Sequence, residues 1–346
     1  MPRRTLASLT TLRLGGPTGD MLTISDPSDW PDLAHTISRH GQGAPLTLGH
    51  GSNVIASDAG HPGTVAVINT RGITTKRVDD TTVAVTVNAG HPLTDLTAWA
   101  VTEHLAGIEC LAGIPGTIGA APVQNAGAYG QQISDTLHHL RAWDWHAGRT
   151  RTLPAQECRL GHRHSRFRQE PGRWTILSAT LHLTRTDTAA PITCRRLAGE
   201  LGIPLGARPP LAETTAAVLA DRRRRGLLLD SDGPDARQIG SAFLDPPVTP
   251  DQAARWSAAG CPVHTGIDGR WRMSAGWLLE LIGCHPGHRI ADGIHCSQRR
   301  TLAITAHGEI TATAFAQVLA DLAARVDANT GISLRPEPIS VGQWPA

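Results

Sequence analysis

The sequence predicts an α+β fold, and three observations carry the prediction. The first third of the chain alternates strand-like and helix-like segments without settling into a long, regular βαβ series, which disfavours a doubly wound parallel sheet. Two strand candidates, 137–145 and 174–184, follow with a loop between them. From about residue 188 the texture changes to helical segments, so the second half reads as a separate α+β body.

Each element has its own signal. Residues 29–40 read as a short helix, with Asp29 as the expected cap and Pro31 in the first turn, where a missing N–H costs little. Residues 44–60 run from an apolar stretch through Gly-Ser-Asn into another apolar stretch, a strand–turn pattern. Residues 64–70 read as a further strand. The segment 81–90 alternates polar and apolar residues, the period of a half-buried strand, and 92–104 carries apolar residues at helical spacing. The stretch 111–130 is dense in small residues around Tyr129, the chain's only tyrosine, and 161–173 reads as an exposed or active-site loop. Residues 211–225 are helical and end in four arginines, Arg222–Arg225. Basic residues suit a helix C-terminus and Gly226 is a natural stop, so the run reads as a solvated helix end, with a ligand contact as the alternative. Three further helices are expected at 250–259, 273–282 and 312–328. The tail 332–342 is strand-like, with prolines that keep it from central ladder positions.

Bulk properties exclude several classes. The chain has 346 residues, 40% of them hydrophobic, enough for two or three packed domains. With 18% charged residues and a net charge of +2, neither disorder nor nucleic-acid binding is suggested. Lys76 is the only lysine; this reads as a compositional bias, although arginine also presents a planar fork suited to carboxylates and phosphates. The N-terminus has no apolar stretch of signal-peptide length and no 18-residue uncharged apolar run occurs, so no membrane partner is expected. The six cysteines form no CxxC pair. They read as small core residues of a reducing compartment, with the cytoplasm as default location and no metal site.

Chemistry concentrates in five places. In Gly49, His50, Gly51, Ser52 and Asn53, two glycines flank a polar residue between apolar runs. Such a turn can aim backbone N–H groups at a pyrophosphate, or it can be an ordinary tight turn; it is not GxGxxG. In Ile114, Pro115, Gly116, Thr117, Ile118 and Gly119, glycines and small residues clear space for a large planar or phosphorylated ligand, the alternative being a structural glycine-rich loop. Arg163 lies in a cluster with His164 and Arg166 that is either a surface patch or a clamp for a carboxylate or enolate. Ser241 sits among small and apolar residues; the pattern is not GxSxG, so a hydrolase nucleophile is a poor reading. Glu337 is framed by Pro336 and Pro338, and a surface strand position is equally open for it. These residues alone point to a nucleotide- or cofactor-binding enzyme.

Seven segments in chain order (9–17, 48–58, 107–132, 157–168, 239–247, 274–283 and 334–342) together resemble the UDP-N-acetylenolpyruvoylglucosamine reductase family, its actinobacterial branch most. The resemblance spans almost the whole chain. It implies a two-subdomain FAD-binding module of the PCMH/VAO-like type followed by an α+β substrate domain, here placed at 1–75, 76–187 and 188–346. It implies tightly bound FAD, held by Gly49 to Asn53 and Ile114 to Gly119 with Gln124, Asn125, Gly127 and Ala128 close behind, and NADPH as reductant. The implied substrate is a nucleotide-sugar, the enolpyruvyl ether of UDP-N-acetylglucosamine, which is reduced to UDP-N-acetylmuramate for peptidoglycan; a monomer or weak dimer is expected, although the sequence does not fix the oligomeric state. Arg163 would stabilise developing negative charge, Ser241 would act as general acid, and Glu337 would orient or polarise a neighbour or be protonated itself. Arg225 and Asp245 would border the substrate. The chain departs from the family pattern at His50, His162, Ala242, Leu244 and Asp245, at Thr305 and Ala306, and in lacking a tyrosine between 188 and 210. A divergent flavin oxidoreductase acting on another substrate is the alternative these departures raise; a flavin-binding protein without catalysis is a third reading, disfavoured by the intact Arg163, Ser241 and Glu337.

Overall fold

A computed structural model describes residues 4–39, 43–229, 232–266 and 268–344. The chain folds into two compact units, neither continuous in sequence. One comprises residues 1–18, 51–62 and 229–346; the other comprises 19–50 and 63–228.

The unit made of 19–50 and 63–228 is built on a twisted antiparallel sheet. Its strands run in the order Arg149–Pro154, Leu137–Asp144, Trp174–Arg185, Thr82–Asn88 and Ile73–Arg77, with Leu105–Ala106 pairing the end of Trp174–Arg185. Alternation along Thr82–Asn88 buries Val83, Val85 and Val87, which is why the period-2 pattern is legible there. A smaller parallel sheet places Val65–Ile68 between Met21–Ile24 and Leu46–Leu48. Helix Trp30–Arg39 buries Trp30, Ala34 and Ile37, one face of a 3.6-residue period. Its approach is capped by Asp26, whose carboxylate accepts from Ser28 N at 2.8 Å, and not by the expected Asp29, which lies inside the preceding 3-10 turn. Helix Leu93–Thr102 and the predicted long strands agree with the sequence to within about two residues at each end. Residues 188–228 pack in this unit: Ile192, Leu197 and Val218 bury against Cys110 and Ala112.

The other unit holds a four-stranded antiparallel sheet in the order Gln238–Ser241, Arg300–Ala306, Ile294–Ser297 and Arg289–Ala291. A three-stranded sheet of Pro247–Val248, Trp271–Met273 and Val263–Thr265 flanks helices Pro250–Ala258 and Ala275–Leu281. Helix Ala312–Thr330 buries Phe315, Leu319, Leu322 and Val326. Segment 51–62 belongs here because Val54–Ala56 pairs in parallel with Ile339–Val341. In addition, the Asp58 carboxylate accepts from the amides of Ala312 and Thr313, each at 2.8 Å, at the helix N-terminus where negative charge is favourable. Both units mix antiparallel sheets with helices, as an α+β fold requires. Five of the six cysteines are buried and all six are free. Among the described residues, no helix is long and apolar enough to cross a membrane.

Candidate active site

Within the unit of 19–50 and 63–228, the glycine-rich loop is clipped to the start of helix Leu93–Thr102. Leu93 N donates to Gly116 O at 3.0 Å, Ile118 N to His91 O at 2.9 Å, and Gly119 N to Ala89 O at 2.8 Å. Gly116 has φ +125°, a conformation open to glycine. A Cβ on Gly119 would lie 2.7 Å from Ala89 Cβ, and one on Gly49 would overlap the Thr117 hydroxyl, so the 49–50 turn and the 116–119 loop close on each other only as glycines. Gly116 and Thr117 are buried, and among the described residues their amides meet no protein acceptor. Consecutive buried N–H groups call for a partner, and a pyrophosphate oxygen suits them. This donor set fits FAD. The Ile118 side chain lies in the core, and its amide is spent on His91 O. Desolvation, with Arg71 adding to it, holds the His50 imidazole below its ordinary pKa.

Gly127 and Ala128 form a short strand paired with Gln131–Gln132. Tyr129 and Gly130 at the tip both have positive φ, +51° and +89°, as a type I′ hairpin demands. Gly127 is thus explained by packing: a Cβ there would sit 2.7 Å from Gln131 O. Gln124 closes the 3-10 turn Ala121–Gln124, and Asn125 follows in the left-handed region. Arg163 occupies the tip of another two-residue turn, closed by Gly161 N to His164 O at 3.0 Å and His164 N to Gly161 O at 3.2 Å. Its own φ is +52°.

Ser241 and Glu337 come together within the unit of 1–18, 51–62 and 229–346. Ser241 ends its strand opposite Ala303, beyond an irregularity in the pairing at which Gly240 has φ +75°. The chain then turns onto the tail: Leu244 N donates to Arg335 O at 3.0 Å, and Glu337 N donates to Ala242 O at 3.0 Å. Glu337 is buried rather than a surface residue, at 9% exposure. Asn53, expected at the cofactor, reaches the same point: its Nδ2 is 3.5 Å from Glu337 O, and its carbonyl accepts from Ile339 N at 3.0 Å. Gly51, with φ +58°, has no room for a Cβ against the Leu9 carbonyl. Ser52 lies in the same turn.

The arginine run is not uniformly solvated. Arg222 is buried, and its Nη2 donates to Leu227 O at 3.1 Å. Arg224 forks onto both carboxylate oxygens of Glu200 at 2.6 Å, and Arg225 lies 3.4 Å from Asp221. The sequence reading missed Asp221 as the organiser: buried, it also accepts from Tyr129 OH at 2.8 Å. Burial, followed by that bond to Asp221, pushes the Tyr129 phenol up to about 12. Asp245 Oδ1 accepts from Ala275 N at 2.8 Å at a helix N-terminus, and Oδ2 lies 3.7 Å from His264 Nε2. Its charge is therefore partly offset within its own unit. Thr305, another departure, is buried and donates to His295 O at 3.2 Å.

The close fit of Gly49 on Thr117 gives a direct test. Gly49→Val is expected to weaken FAD binding by about 10- to 100-fold, the cost of overpacking one tight contact. Flavin-to-protein absorbance and titration of the apoprotein with FAD read the effect; full retention of FAD would show that this contact does not shape the cofactor site.

Comparison with known proteins agrees with these features. Residues 27–153 match the FAD binding domain model, and residues 233–341 match the model of the UDP-N-acetylenolpyruvoylglucosamine reductase C-terminal domain. The UDP-N-acetylenolpyruvoylglucosamine reductase of Thermobifida fusca is 36% identical over 346 residues, covering 97% of this chain and 96% of that protein. The enzyme of the same name from Streptomyces coelicolor is 37% identical over 348 residues, covering 97% and 89%. The crystal structure of UDP-N-acetylenolpyruvylglucosamine reductase from Thermus caldophilus shares the fold, with a TM-score of 0.64 at 22% identity over 99% of this chain and 98% of that one.

Proposed function

Because the chain belongs to the UDP-N-acetylenolpyruvoylglucosamine reductase family, we propose that it reduces the enolpyruvyl ether of UDP-N-acetylglucosamine to UDP-N-acetylmuramate, a step of peptidoglycan precursor synthesis, with FAD and NADPH. The observation that carries this reading beyond family membership is the backbone pairing that sets the Ser241 and Glu337 segments side by side. The pairing runs through Ala242 and Phe243, the residues that follow Ser241, and through Pro336 and Glu337.

FAD supplies the hydride relay between a nicotinamide and a second acceptor. Gly49 to Ser52 and Ile114 to Gly119 would line it, with the Gly116 and Thr117 amides as the N–H groups for the pyrophosphate. Addition of hydride to the terminal vinyl carbon leaves negative charge on the carbon that bears the carboxylate. Arg163 presents a guanidinium fork to that carboxylate and stabilises the charge. Ser241 donates its hydroxyl proton to the carbanionic carbon. Serine is a weak acid, so the step requires a strongly basic carbon and little water. Glu337, buried and fixed by its backbone bond to Ala242, orients the substrate. Arg225 faces the diphosphate and Asp245 borders the nucleotide sugar; because the Ala275 N–H at a helix N-terminus engages the Asp245 carboxylate, it repels the substrate less than a free aspartate would. The enzyme works as a monomer or weak dimer.

Anaerobic half-reactions test the assignment. The FAD-loaded protein, reduced with NADPH, is mixed with the enolpyruvyl sugar nucleotide. Rapid reoxidation with formation of UDP-N-acetylmuramate is expected. Reoxidation no faster than in buffer alone would overturn the substrate assignment.

A further inference from the structure

We propose that Asn125, which the sequence groups with the cofactor ligands, is a positioning residue that holds the Arg163 turn. The proposal rests on the role assigned to Arg163 above.

Asn125 is 3% exposed, and its side chain is committed to the protein. Nδ2 lies 3.0 Å from Gln132 Oε1, 3.1 Å from Ser134 Oγ and 3.2 Å from Gly161 O. Oδ1 accepts from Ser134 N at 3.0 Å. A carboxamide has two N–H bonds, so three acceptors saturate it and leave no donor for a ligand. Gly161 opens the two-residue turn with His162 and Arg163 at its tip. The far side of the turn is tied to the same segment: Ser165, fully buried, donates to Val123 O at 2.5 Å and accepts from Arg168 N at 3.1 Å. Residues 123–125 therefore grip the Arg163 turn on both flanks.

The grip has a physical reason. Arg163 has φ +52°, a region a long side chain adopts at a cost, and such a conformation persists where its surroundings over-determine it. Asn125 itself has φ +47°, which asparagine tolerates better than most residues. With the link to Gly161 O removed, the turn relaxes and the guanidinium leaves the position that a developing charge requires. Misplacement of about 1 Å at such a group costs about 10²-fold in rate.

Two variants and a cycle test this in the FAD-loaded enzyme. Asn125→Gly keeps a residue that accepts positive φ and removes only the carboxamide. Asn125→Asp keeps the acceptor for Ser134 N and puts an oxygen against Gly161 O. For both, FAD content and the rate of reduction by NADPH are expected to match the wild type, while reoxidation by the enolpyruvyl sugar nucleotide slows by about 10²-fold. Arg163→Ala slows the same step, and Asn125→Gly combined with Arg163→Ala is no slower than Arg163→Ala alone. Loss of FAD or equal slowing of both half-reactions would overturn the proposal, as would losses that multiply in the double variant. Unimpaired reoxidation in Arg163→Ala would instead overturn the role of Arg163 and the proposal with it. Unimpaired reoxidation in the Asn125 variants alone would overturn only the positioning role.

Discussion

Ser241→Ala is expected to slow reoxidation of the NADPH-reduced enzyme by its substrate by about 10²–10⁴-fold, the range for loss of a general acid, and to leave reduction by NADPH unchanged. The asymmetry follows from where a proton is needed. Hydride leaving a nicotinamide requires no proton from Ser241, whereas hydride added to a vinyl ether leaves a carbanion that must be quenched. The substitution removes one oxygen and no backbone contact. Gly240, with φ +75°, still shapes the strand end, and Ala242 still accepts from Glu337 N at 3.0 Å. The melting temperature is therefore expected to stay within about 2 °C, as for a surface-type change of about 0.5 kcal/mol. Stopped-flow absorbance of the flavin resolves the two steps. Equal slowing of both steps would remove Ser241 from the protonation role.

The largest expected loss of stability is at Asp144. Its side chain is 1% exposed and faces Arg173 Nη2 at 3.2 Å and Arg151 Nη1 at 3.6 Å. Oδ1 also accepts from the amides of His146 and Ala147 at 3.1 and 3.2 Å. Asp144→Ala strands a partly buried guanidinium and two amides at once. Both arginines keep some contact with water, so the expected cost is about 3 kcal/mol, the low end for breaking a buried pair. For a unit of this size that is a fall of about 6–12 °C in melting temperature. The pH dependence has a definite sign. Burial raises the Asp144 pKa, but the bonds from Arg173 and from the amides of Ala147 and His146 outweigh it and hold the group below its ordinary 3.8. A carboxylate with a depressed folded pKa contributes stability that is fully present above its unfolded pKa and lost as pH falls through the folded value. The wild type is therefore expected to lose stability steeply below about pH 4, and Asp144→Ala to lose less over that window. Thermal melts between pH 3 and 7 read both effects; parallel curves would show that Asp144 is not the responsible group.

How legible each feature was depended on how local its cause is. Val83, Val85 and Val87 alternate within one strand, and Phe315, Leu319, Leu322 and Val326 fall on one face of one helix. Such periods lie within a short window, so 81–90 and 312–328 could be read directly. The Arg225–Gly226 stop was read correctly for the same reason, yet the burial of Arg222 was not. Nothing within a few residues of Arg222 marks it off from Arg223; the difference lies in what packs beside it, including Leu227. The short strands Val263–Thr265, Trp271–Met273 and Arg289–Ala291 gave no usable period, since three residues are less than two full alternations.

The sequence alone determined the α+β class, the helices 30–39, 93–102, 211–224 and 312–330, the strands 82–88, 137–144 and 174–185, and Arg163, Ser241 and Glu337 as residues worth testing. Each is written in a continuous run of residues. The tertiary structure alone decided that Asn53 reaches Glu337 across 284 positions, that 51–62 pairs with 339–341, and that the Asn125 carboxamide is spent on Gly161, Gln132 and Ser134. The physical reason is that a hydrogen bond depends on separation in space, and segments far apart in the chain meet only when cores such as the one around Phe243 and Phe315 are buried.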